Sequence, residues 1–184
     1  GLACAPPPSF PRILNLMSTL VTLKLLAMLA MLGTAAVTDL RERRIPNRVT
    51  LFGAGAAIAL SAAETGGVPT ASLLGMVVAL VVTFPLFALG ALGAGDAKLA
   101  AAVGAFLGLQ GLLPAALFAG IAGGLLGLYW SIRRGVIIPV LLETGNRLVY
   151  IATLGRRGAK VTIQDPEART IPYGVAIAAG AVLA

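Results

Sequence analysis

Long apolar runs separated by short polar connections dominate this sequence and restrict what it can fold into. Runs of near membrane-spanning length occupy residues 18–38, 49–63, 70–91, 97–112, 113–131 and 171–184. Of the 184 residues, 58% are hydrophobic and 11% are charged, whereas a soluble domain carries about 25% charged residues. So few charges suit a chain that is solvated by lipid. Because only helices and closed barrels cross a bilayer, and no strand pattern is present, the sequence predicts an all-α, polytopic membrane bundle of about six transmembrane helices.

The basic residues predict the orientation of these helices. Twelve of the 14 Lys and Arg residues lie in the first, third and fifth connections, and the second and fourth connections carry none. Cytoplasmic loops of membrane proteins carry such an excess, so the odd connections are expected to be cytoplasmic. The fifth connection, residues 132–170, is predicted to be a basic loop on the anionic inner leaflet. Orientation therefore accounts for the net charge of +7, and we expect no nucleic-acid partner.

Residues 1–16 differ from the rest of the chain because they are rich in proline. They lack the charged start and the apolar stretch of a signal peptide, so they are predicted to form a tail. The membrane-embedded domain is predicted to run from residue 17 to residue 184.

The residue inventory excludes several kinds of catalytic site. The chain has no histidine and one cysteine, Cys4, so Ser-His-Asp, Cys-His, HExxH and cysteine-zinc sites cannot form within it. We therefore expect no metal and no cofactor. Acid–base chemistry would fall to carboxylates, Lys or Tyr.

Two of the seven acidic residues stand apart by position. The others lie in polar turns and loops, where Glu64, for example, is interpreted as a surface residue. Asp39 and Asp96 each lie at the cytoplasmic end of an apolar run, at the same predicted depth. Ionisable groups at membrane depth are functional candidates by default. A carboxylate pair could supply one acid and one base, as aspartic proteases do.

The surroundings of the two aspartates supply further candidates for substrate binding or for tuning the carboxylates: Pro46, Asn47, Gly93, Gly95 and Lys98. Pro46 and Asn47 are predicted to open the second helix. The two glycines precede Asp96 and would let the backbone approach a substrate strand closely. Lys98 could tune Asp96 or bind an acidic substrate residue, or it could simply extend towards the membrane edge.

Three ordered motifs together resemble those of type IV prepilin peptidases, which are GxGD aspartyl proteases. They are Asp39-Leu-Arg followed by Ile45-Pro-Asn47, then Gly93-Ala-Gly-Asp-Ala-Lys-Leu99, then Ile171-Pro-Tyr-Gly-Val-Ala176. The chain looks most like the short form that serves Flp-type, or tight-adherence, pili. The resemblance implies a bacterial inner-membrane endopeptidase with Asp39 and Asp96 as the catalytic pair. Its substrates would be prepilins or pseudopilins, cleaved at the cytoplasmic face after a glycine and ahead of the hydrophobic helix.

Longer members of that family carry a cysteine-bearing cytoplasmic domain and also N-methylate their product. This chain lacks those cysteines, so we expect no methyltransferase activity. Two other functions remain open from the sequence. One is an ion- or proton-coupled small transporter with paired carboxylates, although such sites lie near the middle of spans. The other is a non-catalytic scaffold of a pilus or secretion assembly.

Overall fold

The computed structural model describes residues 10–42, 44–88, 92–135 and 173–184, with isolated positions between 138 and 153. The described residues form five long helices and contain no strand, which confirms the predicted all-α class. The helices are α1 (Phe10–Glu42), α2 (Asn47–Thr65), α3 (Thr70–Ala88), α4 (Ala94–Arg134) and α5 (Tyr173–Leu183). The predicted basic loop, residues 132–170, lies mostly outside the described residues.

Proline and glycine set several helix boundaries. Pro46 is extended, with φ −62° and ψ 133°, and α2 begins directly after it. The same helix ends at Gly66, whose φ of 65° is the left-handed conformation common at helix C-termini. Helix α1 begins at Phe10, inside the predicted tail and before its predicted end at Leu16. Pro11 can lie in this first turn because an N–H there has no intrahelical partner.

Helix α4 is interrupted at Gly108, which has φ 67° and ψ −173°. Only glycine adopts such a φ readily. The fourth and fifth predicted spans both fall within this 41-residue helix. The structure interrupts this helix at Gly108 and not in the predicted connection Gln110–Pro114, where Pro114 lies inside the helix.

Three of the described helices are long and apolar enough to cross a membrane: α1 from Asn15, α3, and α4 as far as Arg133. Helix α2 is as long as α3, at 19 residues, but less apolar. Helix α5 has 11 residues, fewer than the roughly 20 that a straight span needs. The described part of the chain therefore supports a helical membrane protein, with three clear candidate spans instead of the predicted six.

Small residues bring the helix backbones together. A Cβ atom placed on Gly75 of α3 would clash with the backbone of Gly104 in α4, and one on Gly180 of α5 would clash with Ala115 and Ala119 of α4. Such close approach is typical of helix packing in membranes. Many large apolar side chains point outward, among them Phe52 at 75% exposure, as expected of a surface covered by lipid.

Polar contacts link α2 to its neighbours far from the two aspartates. Lys24 Nζ of α1 lies 3.0 Å from Glu64 Oε2. The hydroxyl of Ser72 in α3 donates a hydrogen bond of 2.7 Å to that of Ser61. The interpretation of Glu64 as an ordinary surface residue is therefore wrong, since its side chain is only 20% exposed and forms an ion pair between helices.

Candidate active site

Asp39 lies in the last turn of α1, where its carboxylate joins α1 to α5. The residue is 8% exposed, and its Oδ2 accepts a hydrogen bond of 2.8 Å from the backbone N–H of Gly174. Gly174 belongs to the first turn of α5, whose N–H groups have no partners within the helix. The carboxylate thus satisfies one of these groups and fixes the start of α5 beside the end of α1.

Asp96 lies in the first turn of α4 and is half-buried. Gly93 is the N-cap of this helix, in an extended conformation with φ −73° and ψ 150°. The Asp96 carboxylate turns back towards the N-cap, since a Cβ atom placed on Gly93 would lie 2.9 Å from its Oδ2. Asp96 is the third helical residue after this N-cap, a position from which an acidic side chain can reach back to the N-cap backbone. The carboxylate therefore lies at the end of the helix, as the sequence predicted.

Ile45 packs between the two aspartate sites. Its Cδ1 would lie 3.1 Å from a Cβ atom placed on Gly174, and its Cβ would lie 3.2 Å from one placed on Gly95. The side chain therefore touches the residue that hydrogen-bonds Asp39 and the residue that precedes Asp96. The Asp39 carboxylate and the backbone that carries Asp96 thus lie beside the same Ile45 side chain. The structure thus brings together the two aspartates that the sequence singled out.

Lys98 is directed at the start of α2. Its Nζ donates a hydrogen bond of 2.9 Å to Asn47 Oδ1 at the exposed edge of the site. Asn47 is the first residue of α2, directly after Pro46. Two sequence candidates, Lys98 and Asn47, are thereby joined in one contact between α4 and the start of α2, next to the third candidate, Pro46.

The two glycines before Asp96 have different surroundings. Gly95 faces Ile45 of the same chain, and a Cβ atom on Gly93 would meet the carboxylate of Asp96, at 2.9 Å from Oδ2. The turn before α2 thus approaches Gly95 closely, and the close approach of a substrate strand to these glycines stays a prediction.

Sequence reasoning did not assign Ile45 or Gly174 to the site. Both stand in motifs that carried the family resemblance, Ile45-Pro-Asn and Ile171-Pro-Tyr-Gly, and that was the available signal. Gly174 lies 135 positions from Asp39, so their contact arises only from tertiary packing.

This arrangement can do acid–base chemistry on a bound carbonyl. Two neighbouring carboxylates can share a proton, so that one removes a proton from water while the other protonates the carbonyl oxygen. Asp39 is held by buried contacts, and Asp96 is the more accessible of the two.

Together, the apolar helices and the paired carboxylates at one end of the bundle define a helical membrane protein with an acidic site. The profile of the type IV leader peptidase family matches residues 26–128, which is more than half of the chain, so the chain belongs to that family. The matched region contains both aspartates and Ile45, whereas Gly174 lies beyond it. Comparisons with curated proteins and with solved structures gave no match. Family membership confirms the resemblance and places the chain among peptidases.

Proposed function

We propose that this protein is an aspartyl endopeptidase that removes the leader peptide of Flp-type prepilins or pseudopilins, with Asp39 and Asp96 as the catalytic pair. The observation that carries the proposal is the convergence of the Asp39 site of α1 and the Asp96 site of α4 on the side chain of Ile45, in a member of the leader peptidase family. Both lie at helix ends, which suits a substrate cut at the membrane edge. A transporter site would instead place its acids near the middle of spans.

In the proposed reaction, Asp39 and Asp96 bind one water molecule, which lies between the two carboxylates and the scissile carbonyl of the substrate. One carboxylate takes the proton of the attacking water, and the other, protonated, gives a proton to the carbonyl oxygen. Collapse of the tetrahedral intermediate then breaks the C–N bond. The proton taken from water passes to the leaving amine, and a hydroxyl group of the intermediate gives its proton back to the other aspartate. Two further residues position the pair. Ile45 packs between the two aspartate sites, and the backbone N–H of Gly174 donates a hydrogen bond to Asp39.

The direct test uses the purified protein in detergent and a synthetic substrate with a basic leader, a glycine at the cleavage position and a following apolar helix. Mass spectrometry should detect a single hydrolysis after that glycine. The absence of cleavage of every prepilin-like sequence under conditions in which the protein stays folded would contradict the proposal and favour a scaffold role.

We also propose six membrane crossings, formed by α1, α2, α3, the two parts of α4 on either side of Gly108, and α5. As one rod, the 41 residues of α4 would extend about 60 Å, twice the roughly 30 Å of a hydrocarbon core. Gly108 lies beside Ala71 at the start of α3. Ala115 and Ala119, further along α4, pack against α5, whose first turn donates a hydrogen bond to Asp39. These contacts support a reversal of direction at Gly108.

The topology is tested by cysteine labelling in a Cys4→Ser background. Arg44→Cys, in the turn before α2, should react only with reagents that reach the cytoplasm of the bacterial cell. Gly67→Cys, in the turn after α2, should react from the opposite side of the inner membrane. Both positions are exposed. Labelling of both from one side would contradict the crossing of α2 and with it the cytoplasmic position of the site.

A further inference from the structure

A cavity of about 270 Å³ lies between α1, the end of α2 and α4, at the end of the bundle opposite to the aspartates. Five apolar side chains line it, including Met28 and Phe106, and its polar groups are Lys24 and Glu64. Lys24 precedes Asp39 by 15 positions, which corresponds to about 22 Å along α1. Since the hydrocarbon core is about 30 Å thick, the cavity lies near the opposite membrane interface.

The ion pair in this cavity leaves one carboxylate oxygen without a partner. Glu64 Oε2 is 3.0 Å from Lys24 Nζ, but Oε1 is buried and accepts no hydrogen bond. A buried carboxylate oxygen without a donor is costly, and native structures usually satisfy such groups. The side chains of Lys24 and Glu64 remain 21% and 20% exposed, so a molecule at the membrane interface can reach them.

The chemistry of the site indicates what such a molecule must contain. It needs a cationic N–H donor for Glu64 Oε1, an anion for the remaining N–H groups of Lys24, and an apolar portion for the walls formed by α1 and α4. The charges of Lys24, Glu64, the added cation and the added anion would then alternate in sign, so the cavity would carry no net charge. The volume equals about nine water molecules at roughly 30 Å³ each, which leaves room for a small polar headgroup.

We propose that this cavity binds an aminophospholipid of the phosphatidylethanolamine class from the leaflet opposite to the active site. The primary ammonium donates to Glu64 Oε1, the phosphate accepts from Lys24 Nζ, and the start of an acyl chain follows the apolar wall. Phosphatidylcholine has the same charges but no N–H group, so it cannot make the bond to Oε1. An anionic glycerol headgroup brings a further negative charge beside the carboxylate and lacks the ammonium. The proposal depends on membrane insertion and not on peptidase activity.

The test is native mass spectrometry of the full chain released from nanodiscs that contain equal amounts of phosphatidylethanolamine and phosphatidylcholine. One charge-assisted hydrogen bond predicts roughly tenfold enrichment of the ethanolamine lipid on the parental protein. Glu64→Gln should lose most of this enrichment, because the amide keeps the shape but not the charge. Glu42→Gln, which removes an exposed acid at the other end of α1, should retain it.

A series of headgroups tests the same contact without any mutation. The monomethyl and dimethyl derivatives of phosphatidylethanolamine still carry an N–H group and should remain enriched, and enrichment should be lost at the trimethyl step. Equal retention of ethanolamine and choline lipids by the parental protein would overturn the proposal, since it would show that no N–H group of the lipid bonds Glu64 Oε1. Unchanged enrichment on Glu64→Gln would also overturn it.

Discussion

Lys98 makes a contact that the sequence did not suggest. It follows Asp96 by two positions and was predicted to tune that carboxylate, to bind an acidic substrate residue or to extend towards the membrane edge, and its Nζ donates to Asn47 Oδ1. Asn47 begins the helix that follows Ile45 and Pro46. Lys98 is therefore a positioning residue in our account: it ties the first turn of α4 to the turn that packs between the aspartates.

A double-mutant cycle tests this role of Lys98. Lys98→Met and Asn47→Leu should each lower kcat for leader cleavage by roughly tenfold with little change in KM, because both loosen the same contact. The double variant should be no worse than either single variant, which corresponds to a coupling of about 1.4 kcal/mol. Additive losses would mean that Lys98 acts on Asp96 or on the substrate independently of Asn47.

A side chain at Gly174 would displace its neighbours in this site. A Cβ atom there would lie 2.8 Å from Asp39 Oδ2 and 3.1 Å from Ile45 Cδ1, so Gly174→Ala should displace the carboxylate. Since a displacement of about 1 Å can cost roughly 100-fold in rate, we expect a loss of that order in kcat. Gly33→Ala is the control, because nothing lies within 4 Å of its added Cβ atom. Equal cleavage by the two variants would contradict the geometry around Asp39.

The residues of the site were predictable from the sequence to different degrees. Asp39 and Asp96 stood out because an acid at the end of an apolar run is expensive unless it has a function. The contacts of Ile45 and Gly174 could not be predicted, because they join α5 to segments that are distant in the chain. The glycine pattern before Asp96 indicated that some group approaches Gly93 and Gly95 closely. Only the fold identifies these groups as the Asp96 carboxylate and Ile45.

At the scale of the helices, the contact between α3 and α4 depends on two glycines that face each other. A Cβ atom on Gly104 would lie 3.1 Å from Ala79 Cβ and would clash with the backbone of Gly75. Gly104→Ala should therefore lower the free energy of unfolding by about 1–3 kcal/mol, the usual range for overpacking. Gly55→Ala in α2 meets nothing within 4 Å and should be neutral or slightly stabilising. Thermal unfolding in detergent measures the stability of both variants. A Gly104→Ala protein as stable as the parental protein would contradict the close packing of α3 and α4.

The limits of the helices could be predicted only where a local signal exists. Pro46 and Asn47 were predicted to open α2 and do so, and Gly66, just beyond the predicted apolar run 49–63, is the kind of residue that ends a helix. The break in α4 was not predictable, because the left-handed conformation at Gly108 depends on packing beside Ala71 and the sequence contains 23 glycines. A hydropathy pattern therefore finds apolar segments but does not decide at which glycine one segment ends.

At the scale of the whole molecule, the residue inventory predicts catalysis without a metal. The 184 residues contain no histidine and a single cysteine, so the chain lacks the usual ligands of a catalytic zinc ion. Leader cleavage should therefore proceed at its normal rate in the presence of a strong chelator such as EDTA. Inhibition that is reversed by adding a divalent metal would contradict a mechanism based on carboxylates alone.

The most direct test of the account compares leader cleavage by Asp39→Asn, Asp96→Asn and Glu42→Gln with that of the parental protein. The side-chain amide introduced by Asp39→Asn can still accept the N–H bond of Gly174, so abundance and folding should be retained. If the two carboxylates act as one catalytic unit, each dyad variant should lose at least about 1,000-fold in rate. Glu42→Gln, altered in the same last turn of α1 at an exposed position, should cleave normally. Efficient cleavage by either aspartate variant would contradict the assignment of Asp39 and Asp96 as the catalytic pair.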